Sequence, residues 1–430
     1  MGMAIAARVA AAGHRTVLYE RAPQPGGLAT WHDFGAFTWD RYYHVILPSD
    51  SELIAFIGEL GLGGELRWTP TRTGYYVDRN FYSLSTNVDF LRFPPLSLWD
   101  KFRLAATILY CARIKDWRRL EQVTVEDWLV RTCGRATFEK FWKPLLLAKL
   151  GLNYKRVSAV FIWSYIKRLF SARDATAQKE HLGYVAGGYR RVFREVESKI
   201  RAAGGEIRLR SVVEGVRPRG GRGMEIRVDG ASEPFDKVVF TGPTNVLRDT
   251  ADAALVELPA GGRDVEYLGV VCMAIITRRP FTPYYILNIG DETVPFTGVI
   301  GMSTVIDPGQ TGGLHLTYLP KYVLSTDPLL GASEQEIRGS FLPALANMYP
   351  DLREGDIESV HVNRALKVQP LQVLNYSALV QPARTRHPDF YVVNTAQFVN
   401  NTLNNNEVIR NVNRFFRECG RDFEPESRPA

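Results

Sequence analysis

No run of apolar residues in this chain approaches the ~20 that are needed to cross a bilayer. The apolar N-terminal stretch lacks a basic leader and passes straight into a domain-like pattern, so it does not read as a secretory signal. Cysteine is scarce: Cys111, Cys133, Cys272 and Cys419 are scattered, with no CxxC pair and no histidine cluster nearby. Four such residues suggest neither a zinc site nor a disulfide framework, so no metal is expected and the expected location is a reducing cytoplasm. No serine sits in a GxSxG turn and the histidines are isolated, which argues against a hydrolytic triad. No internal repeat and no low-complexity tract occurs.

What is present is an ordinary globular composition, 45% apolar and 23% charged over 430 residues, enough for two or three domains. The net charge of +7 is unevenly placed. Residues 101–181 hold 17 Lys and Arg against 7 Asp and Glu, more than the whole excess of the chain. The same segment is rich in aromatics, among them Trp117, Trp128, Phe138, Phe141, Trp142, Phe161, Trp163, Tyr165 and Phe170. A helical subdomain with a solvated basic face accounts for this. A surface that meets anionic headgroups or an anionic substrate accounts for it too. No nucleic-acid motif accompanies the charge, so nucleic acid is not expected as a partner.

Periodicity divides the chain into interleaved segments. Residues 1–50, 182–250 and 375–430 read as one discontinuous α/β domain, 51–181 as a helical region, and 251–374 as antiparallel strands with Gly/Pro punctuation. The expected fold class is α/β plus α+β, with a site between the domains.

The opening "MGMAIAARVAAAGHRTVLYE" has Ala4, Ile5, Val9 and Ala12 at helical spacing, Gly13 as a stop, and Thr16–Glu20 as a short buried strand ending on an acid. That is the back half of a dinucleotide-binding βαβ unit. Gly2 would allow close packing of helix on strand, and Glu20, 18 residues on, would take ribose hydroxyls. Then "ERAPQPGGLAT" brings Gly26-Gly27 beside Leu28 and Ala29, where a glycine pair lets the backbone approach a bound cofactor. Near the other end, Thr402 or Asn404 can cap a helix starting near Asn405, whose N-terminus favours negative charge.

Glu20-Arg21 followed by Gly26-Gly27-Leu28-Ala29 resembles the fingerprint of the FAD-dependent amine oxidase, protoporphyrinogen oxidase and phytoene desaturase superfamily, with UDP-galactopyranose mutases as relatives. The resemblance continues through "WDRYYHVILPSDSEL", "FEKFWKPLLLAKLG", "LGYVAGGYRRVFREV", "VVFTGPTNVL" and "FYVVNTAQFVNNTLNNNEVIR", nearly the whole chain. It implies an FAD cofactor. Glu20 would hold the adenosine ribose, Arg21 would flank the adenine, and Gly26, Gly27 and Leu28 would line the pyrophosphate and ribitol. Val213 would meet the adenine through its backbone, Gly242 would turn the chain toward the cofactor, and the segment with Thr402, Leu403 and Asn404 would place a helix N-terminus against the flavin. For the catalytic face it implies Tyr43 and His44, beneath the flavin, and Lys367, near flavin N5. Tyr285 and Tyr318 lie on the strands of the expected substrate sheet, and core packing is the competing reading for them and for His44.

Three functions stay open at this point: an FAD-dependent oxidoreductase that removes a hydride from a C–N or C–C bond of a small molecule, a flavin-dependent isomerase of the mutase type, and a non-catalytic flavoprotein. The basic aromatic segment 101–181 is expected to bind anionic membrane reversibly. The superfamily's first strand and its GxGxx turn do not precede Gly2, so the expectation is that the coding region starts upstream of Met1.

Overall fold

A computed structural model describes residues 1–172, 180–256 and 264–424, with the side chains of 169–172 excepted. Two parallel strand pairs carry the first half, which holds both chain ends: Val17–Glu20 beside Glu206–Leu209, and Val238–Phe240 beside Phe390–Val392. Parallel strands need crossover connections, and helices cover them here. Gly2–Ala11, Gly188–Ala202 and Asn405–Cys419 are the main ones. Their apolar residues recur at helical spacing, as in Tyr189, Val192, Val196 and Ile200, or Ile409, Val412 and Phe415, and these meet Met3, Ile5 and Val393 in one core. The strand Val17–Glu20 is only partly buried along its length, not fully as its apolar run suggests. The reason is that it pairs along one edge only among the described residues.

The other half is a seven-stranded sheet in the order Ile357–Pro370, Tyr267–Thr277, His315–Leu324, Gly298–Gly301, Ile286–Ile289, Thr73–Val77 and Asn80–Ser83. All eleven residues of Tyr267–Thr277 are buried. Alternation sends Val270, Cys272, Ala274 and Ile276 to one face, against Phe34, Trp39 and Tyr42. Val271, Met273 and Ile275 point to the other, against Ile337, Phe341 and Leu345 of the helix Glu334–Met348. One strand therefore belongs to two cores. The first of them faces the half built on the parallel strand pairs.

The stretch 51–181, expected to be helical, holds helices Leu98–Arg113, Val125–Cys133, Lys143–Leu150 and Ala159–Ala172, but also strands. Leu66–Pro70 pairs with His181–Val185, and Thr73–Val77 with Asn80–Ser83 completes the large sheet. The hairpin turns at Asp78 and Arg79, both with positive φ (51° and 59°). That is the conformation of a two-residue hairpin loop, made without the Asn-Gly or Asp-Gly pair that usually announces it. The helices bury Trp128, Phe138, Trp142, Phe161 and Trp163 in a core of their own. Phe170, counted among the aromatics of this segment, has its side chain outside the described residues.

The sheet is tied to the other half at Tyr318, which is fully buried and donates its hydroxyl to the backbone carbonyl of Asp40. Tyr318→Phe leaves that buried carbonyl without its donor. The expected cost is about 1–3 kcal/mol in denaturant unfolding, with the fold retained; an unchanged midpoint would show the bond to be idle.

Candidate functional site

The two halves enclose a cavity of about 340 Å³. Gly26, Gly27 and Leu28, the first turn of the helix Gly2–Ala11, and Leu403, Asn404 and Asn405 line it from the side of the parallel strand pairs. Tyr42, Tyr43, His44, Val270, Tyr322 and Val368 line it from the sheet side. Gly26 has φ +110°, and a Cβ there would lie 2.7 Å from the Phe193 ring, so the backbone alone fits between that ring and the cavity. Gly27 also has positive φ, with open space where a Cβ would point. The Asn404 side chain accepts the Glu407 N–H (2.9 Å) and caps the helix Asn405–Cys419, settling the choice between Thr402 and Asn404. That bond leaves the first-turn N–H groups of Asn405 and Asn406 at the helix end beside the cavity.

The remaining sequence candidates fall into three places. Glu20, Arg21 and Val213 cluster beyond the cavity, where the Ser211 N–H meets the Glu20 carbonyl (3.0 Å). There the Glu20 carboxylate accepts the Ala22 N–H (2.9 Å), and Arg21 is exposed. Gly2 and Gly242 flank the cavity without lining it. A Cβ on Gly2 would meet Thr241 at 3.0 Å and Leu18 at 3.3 Å, and it is Thr241, the neighbour of Gly242, that reaches the wall. Thr402 is turned away to accept from Asn404 (3.1 Å). Tyr285, Tyr318 and Lys367 are not on the wall. Tyr285 and Tyr318 are core residues of the sheet, and the chain presents Val368, not Lys367, to the cavity.

Two features had no sequence signal. The first is Asp40, 3% exposed, whose Oδ1 accepts the Tyr189 N–H (2.8 Å) at the start of the helix Gly188–Ala202. Gly188 has φ +67°, and a Cβ there would sit 2.9 Å from that oxygen, so glycine is required for the approach. The other carboxylate oxygen lies 3.9 Å from His44 Nδ1, which has no hydrogen-bond partner. Burial pushes the Asp40 carboxyl up to about 8, against the pull of the Tyr189 N–H. Burial also holds the His44 imidazole down near 4. Near neutral pH both groups are uncharged, with the proton on the carboxyl.

The second feature is Lys149. Its Nζ stands 3.1 Å from the centre of the Tyr322 ring, and the Tyr322 hydroxyl meets that of Tyr43 at 2.5 Å. Burial lowers the Lys149 ammonium to about 7 and raises both phenols. In sequence Lys149 is one of several lysines on an amphipathic helix; only the packing of Lys143–Leu150 against His315–Leu324 brings it to Tyr322.

The sequence model of a family described as flavin containing amine oxidoreductase matches residues 2–392. No curated protein matches the chain. Among solved structures it is similar to a protein from Exiguobacterium sp. 255-15 provisionally classed as a protoporphyrinogen oxidase (15% identity, TM-score 0.74, covering 97% of this chain and 96% of that one). It is similar to cyclohexylamine oxidase from Brevibacterium oxydans IH-35A (16%, 0.70, 98% and 97%) and to putrescine oxidase bound to putrescine (14%, 0.70, 97% and 96%). At these identities the likeness is one of fold.

The buried carboxyl supplies a test of this electrostatic picture. Folded Asp40 keeps its proton to about pH 8, whereas an unfolded aspartate loses it near 3.8. The unfolded state therefore binds fewer protons between those values, and Asp40 lowers stability as pH rises through the window. His44 acts with the opposite sign between about 4 and 6.5, in wild type and variant alike. Asp40→Asn keeps the acceptor for Tyr189, and its stability relative to wild type is expected to rise steadily from pH 5 to 8 in thermal unfolding. A difference that does not change with pH would mean that Asp40 is ionised throughout.

Proposed function

The chain belongs to the flavin-containing amine oxidoreductase family, and from that premise we propose that it is an FAD-dependent oxidoreductase that takes a hydride from a C–N or C–C bond of a small molecule held against the tyrosine wall. The observation that carries this reading is one cavity with the Gly26-Gly27 backbone and a helix N-terminus on one side and an aromatic and aliphatic wall on the other.

The residues present fit a flavin dinucleotide. Gly26 and Gly27 keep side chains out of the path along the cavity, and the end of the helix Asn405–Cys419 offers N–H groups to negative charge. Glu20 stands at the end of its strand, partly exposed and in no ion pair among the described residues, which suits a ribose hydroxyl and favours FAD over FMN. When bound, such a group supplies a two-electron acceptor.

The protein supplies shape and electrostatics. Tyr42, Tyr43, Val270 and Val368 narrow the sheet side of the cavity. The Tyr43–Tyr322 hydrogen bond fixes two of its rings. Lys149, behind Tyr322, is a positioning residue that changes charge near pH 7 and sets the field across that ring.

The reading is tested by mixing the anaerobic holoprotein with a panel of amines and other hydride donors in a stopped-flow instrument. Bleaching of the flavin band by one of them is expected. Turnover that requires prior reduction and consumes no oxidant would replace the oxidoreductase with an isomerase, and a flavin that no donor reduces would point to a non-catalytic flavoprotein. The cofactor released on denaturation should be FAD by mass, and Glu20→Ala should weaken its retention about ten- to a hundredfold. Recovery of FMN, or unaltered retention, would sink the assignment of Glu20. Lys149→Met is expected to remove an inflection near pH 7 from the kcat/KM profile while the flavin spectrum is kept. A profile identical to wild type would exclude Lys149 from the reaction.

A further inference from the structure

The helix Leu98–Arg113 buries Leu104 and Cys111 in the core but carries a second, outward apolar stripe, and its first turn is inverted. Asp100 and Lys101 are buried, while Leu98, Trp99 and Phe102 are 77%, 63% and 61% exposed. The outward stripe continues along the same face through Leu109 and Tyr110. Trp99 and Phe102 stack on each other with centroids 5.4 Å apart. The orientation is pinned from inside: Asp100 accepts from Thr137 (3.0 Å) and pairs with Lys140 (3.0 Å). Lys101 Nζ donates to the Leu91 carbonyl (2.7 Å), which fastens the short helix Asn87–Arg92 alongside, with Val88 and Leu91 facing solvent. Rolling the apolar face inward would unpair two buried charges.

We propose that this face, centred on Leu91, Leu98, Trp99, Phe102 and Tyr110, docks on the surface of an anionic lipid bilayer. Charge complementarity selects the occupant. Arg92 at one end and Arg113, Lys115, Arg118 and Arg119 at the other are exposed cations flanking the patch, against two exposed acids, Asp116, which pairs with Arg119, and Asp127. An apolar centre with cationic flanks and an indole at the surface matches the headgroup–acyl boundary of an anionic leaflet. No helix among the described residues is long and apolar enough to cross a membrane, so contact is in the plane. The docking face lies N-terminal to most of the segment 101–181. Most of the aromatics counted there, Trp128 and Trp163 among them, are spent in the core.

The test is flotation of the full-length holoprotein with vesicles of phosphatidylcholine alone or mixed with phosphatidylglycerol, at low and high salt. Co-flotation with the anionic vesicles, weakened by salt, is expected. Trp99→Ala with Phe102→Ala should lower partitioning by about tenfold or more, and Arg113→Glu with Lys115→Glu by about fivefold per charge removed. Both variants should keep the wild-type circular dichroism and flavin spectrum, since all four side chains are at the surface. Absence of flotation at low salt, equal flotation with phosphatidylcholine alone, or a Trp99/Phe102 variant that floats like wild type would each overturn the proposal. So would a vesicle-free dimer that the same variant dissociates, which would assign the face to a second copy of the chain.

Discussion

Everything near the cavity hangs on one aspartate. Asp40 ends a short strand, Thr38–Asp40, yet it accepts two hydrogen bonds from distant parts of the chain and has His44 beside it. Its carbonyl accepts from Tyr318 of the large sheet, its Oδ1 accepts from the start of the helix Gly188–Ala202, and its Oδ2 faces His44 on the cavity wall. A buried polar group needs partners, and the two donors here, Tyr318 and Tyr189, come from different parts of the chain. Satisfying Asp40 therefore positions the seven-stranded sheet against the half built on the parallel strand pairs. Gly188 exists in this arrangement because a larger residue would hold that helix off the carboxyl.

The same joint explains why the tyrosines divide as they do. Tyr318 and Tyr43 have rings 6.3 Å apart, but Tyr318 gives its hydroxyl to the backbone and is lost to the core. Tyr43 pairs instead with Tyr322 and keeps a face on the cavity. Four positions along one strand separate Tyr318 from Tyr322, which alternation alone places on the same face. What differs is what lies beside them, Asp40 in one case and the Tyr43 hydroxyl and the cavity lined by Gly26 to Ala29 in the other. Tertiary placement, not strand pattern, decides which tyrosine can serve a ligand.

Much of the architecture was legible because it rests on local rules. Helical spacing in Gly2–Ala11 and Asn405–Cys419, the Asn404 cap and the paired glycines 26 and 27 all follow from residue type and short-range order. The hairpin at Asp78-Arg79 was illegible because neither residue advertises a positive φ. Asp40 was illegible as a joint because its two hydrogen-bond donors lie 149 and 278 residues away along the chain. Sequence pattern points to Lys367 rather than Lys149 for a related reason. Lys367 stands next to Val368, which does reach the cavity, and one residue of register on a strand exchanges the two faces.

The titratable groups that do surround the cavity share one property. Burial drives the Asp40 carboxyl, the His44 imidazole and the Tyr43 and Tyr322 phenols to their neutral forms at pH 7, and brings Lys149 to the verge of losing its charge. A wall built this way holds almost no fixed ionic charge of its own. In a low-dielectric site of that kind, dipoles that are already oriented act with more force than they would in water. The oriented dipoles here are backbone ones: the amides around Gly26 and Gly27 and the open end of the helix that Asn404 caps. Negative charge arising in the cavity would be met by those amides, while Lys149 behind Tyr322 adjusts the opposite wall with pH. The division of labour follows from burial: side chains give the cavity its shape and its proton reservoir, and the backbone gives it its field.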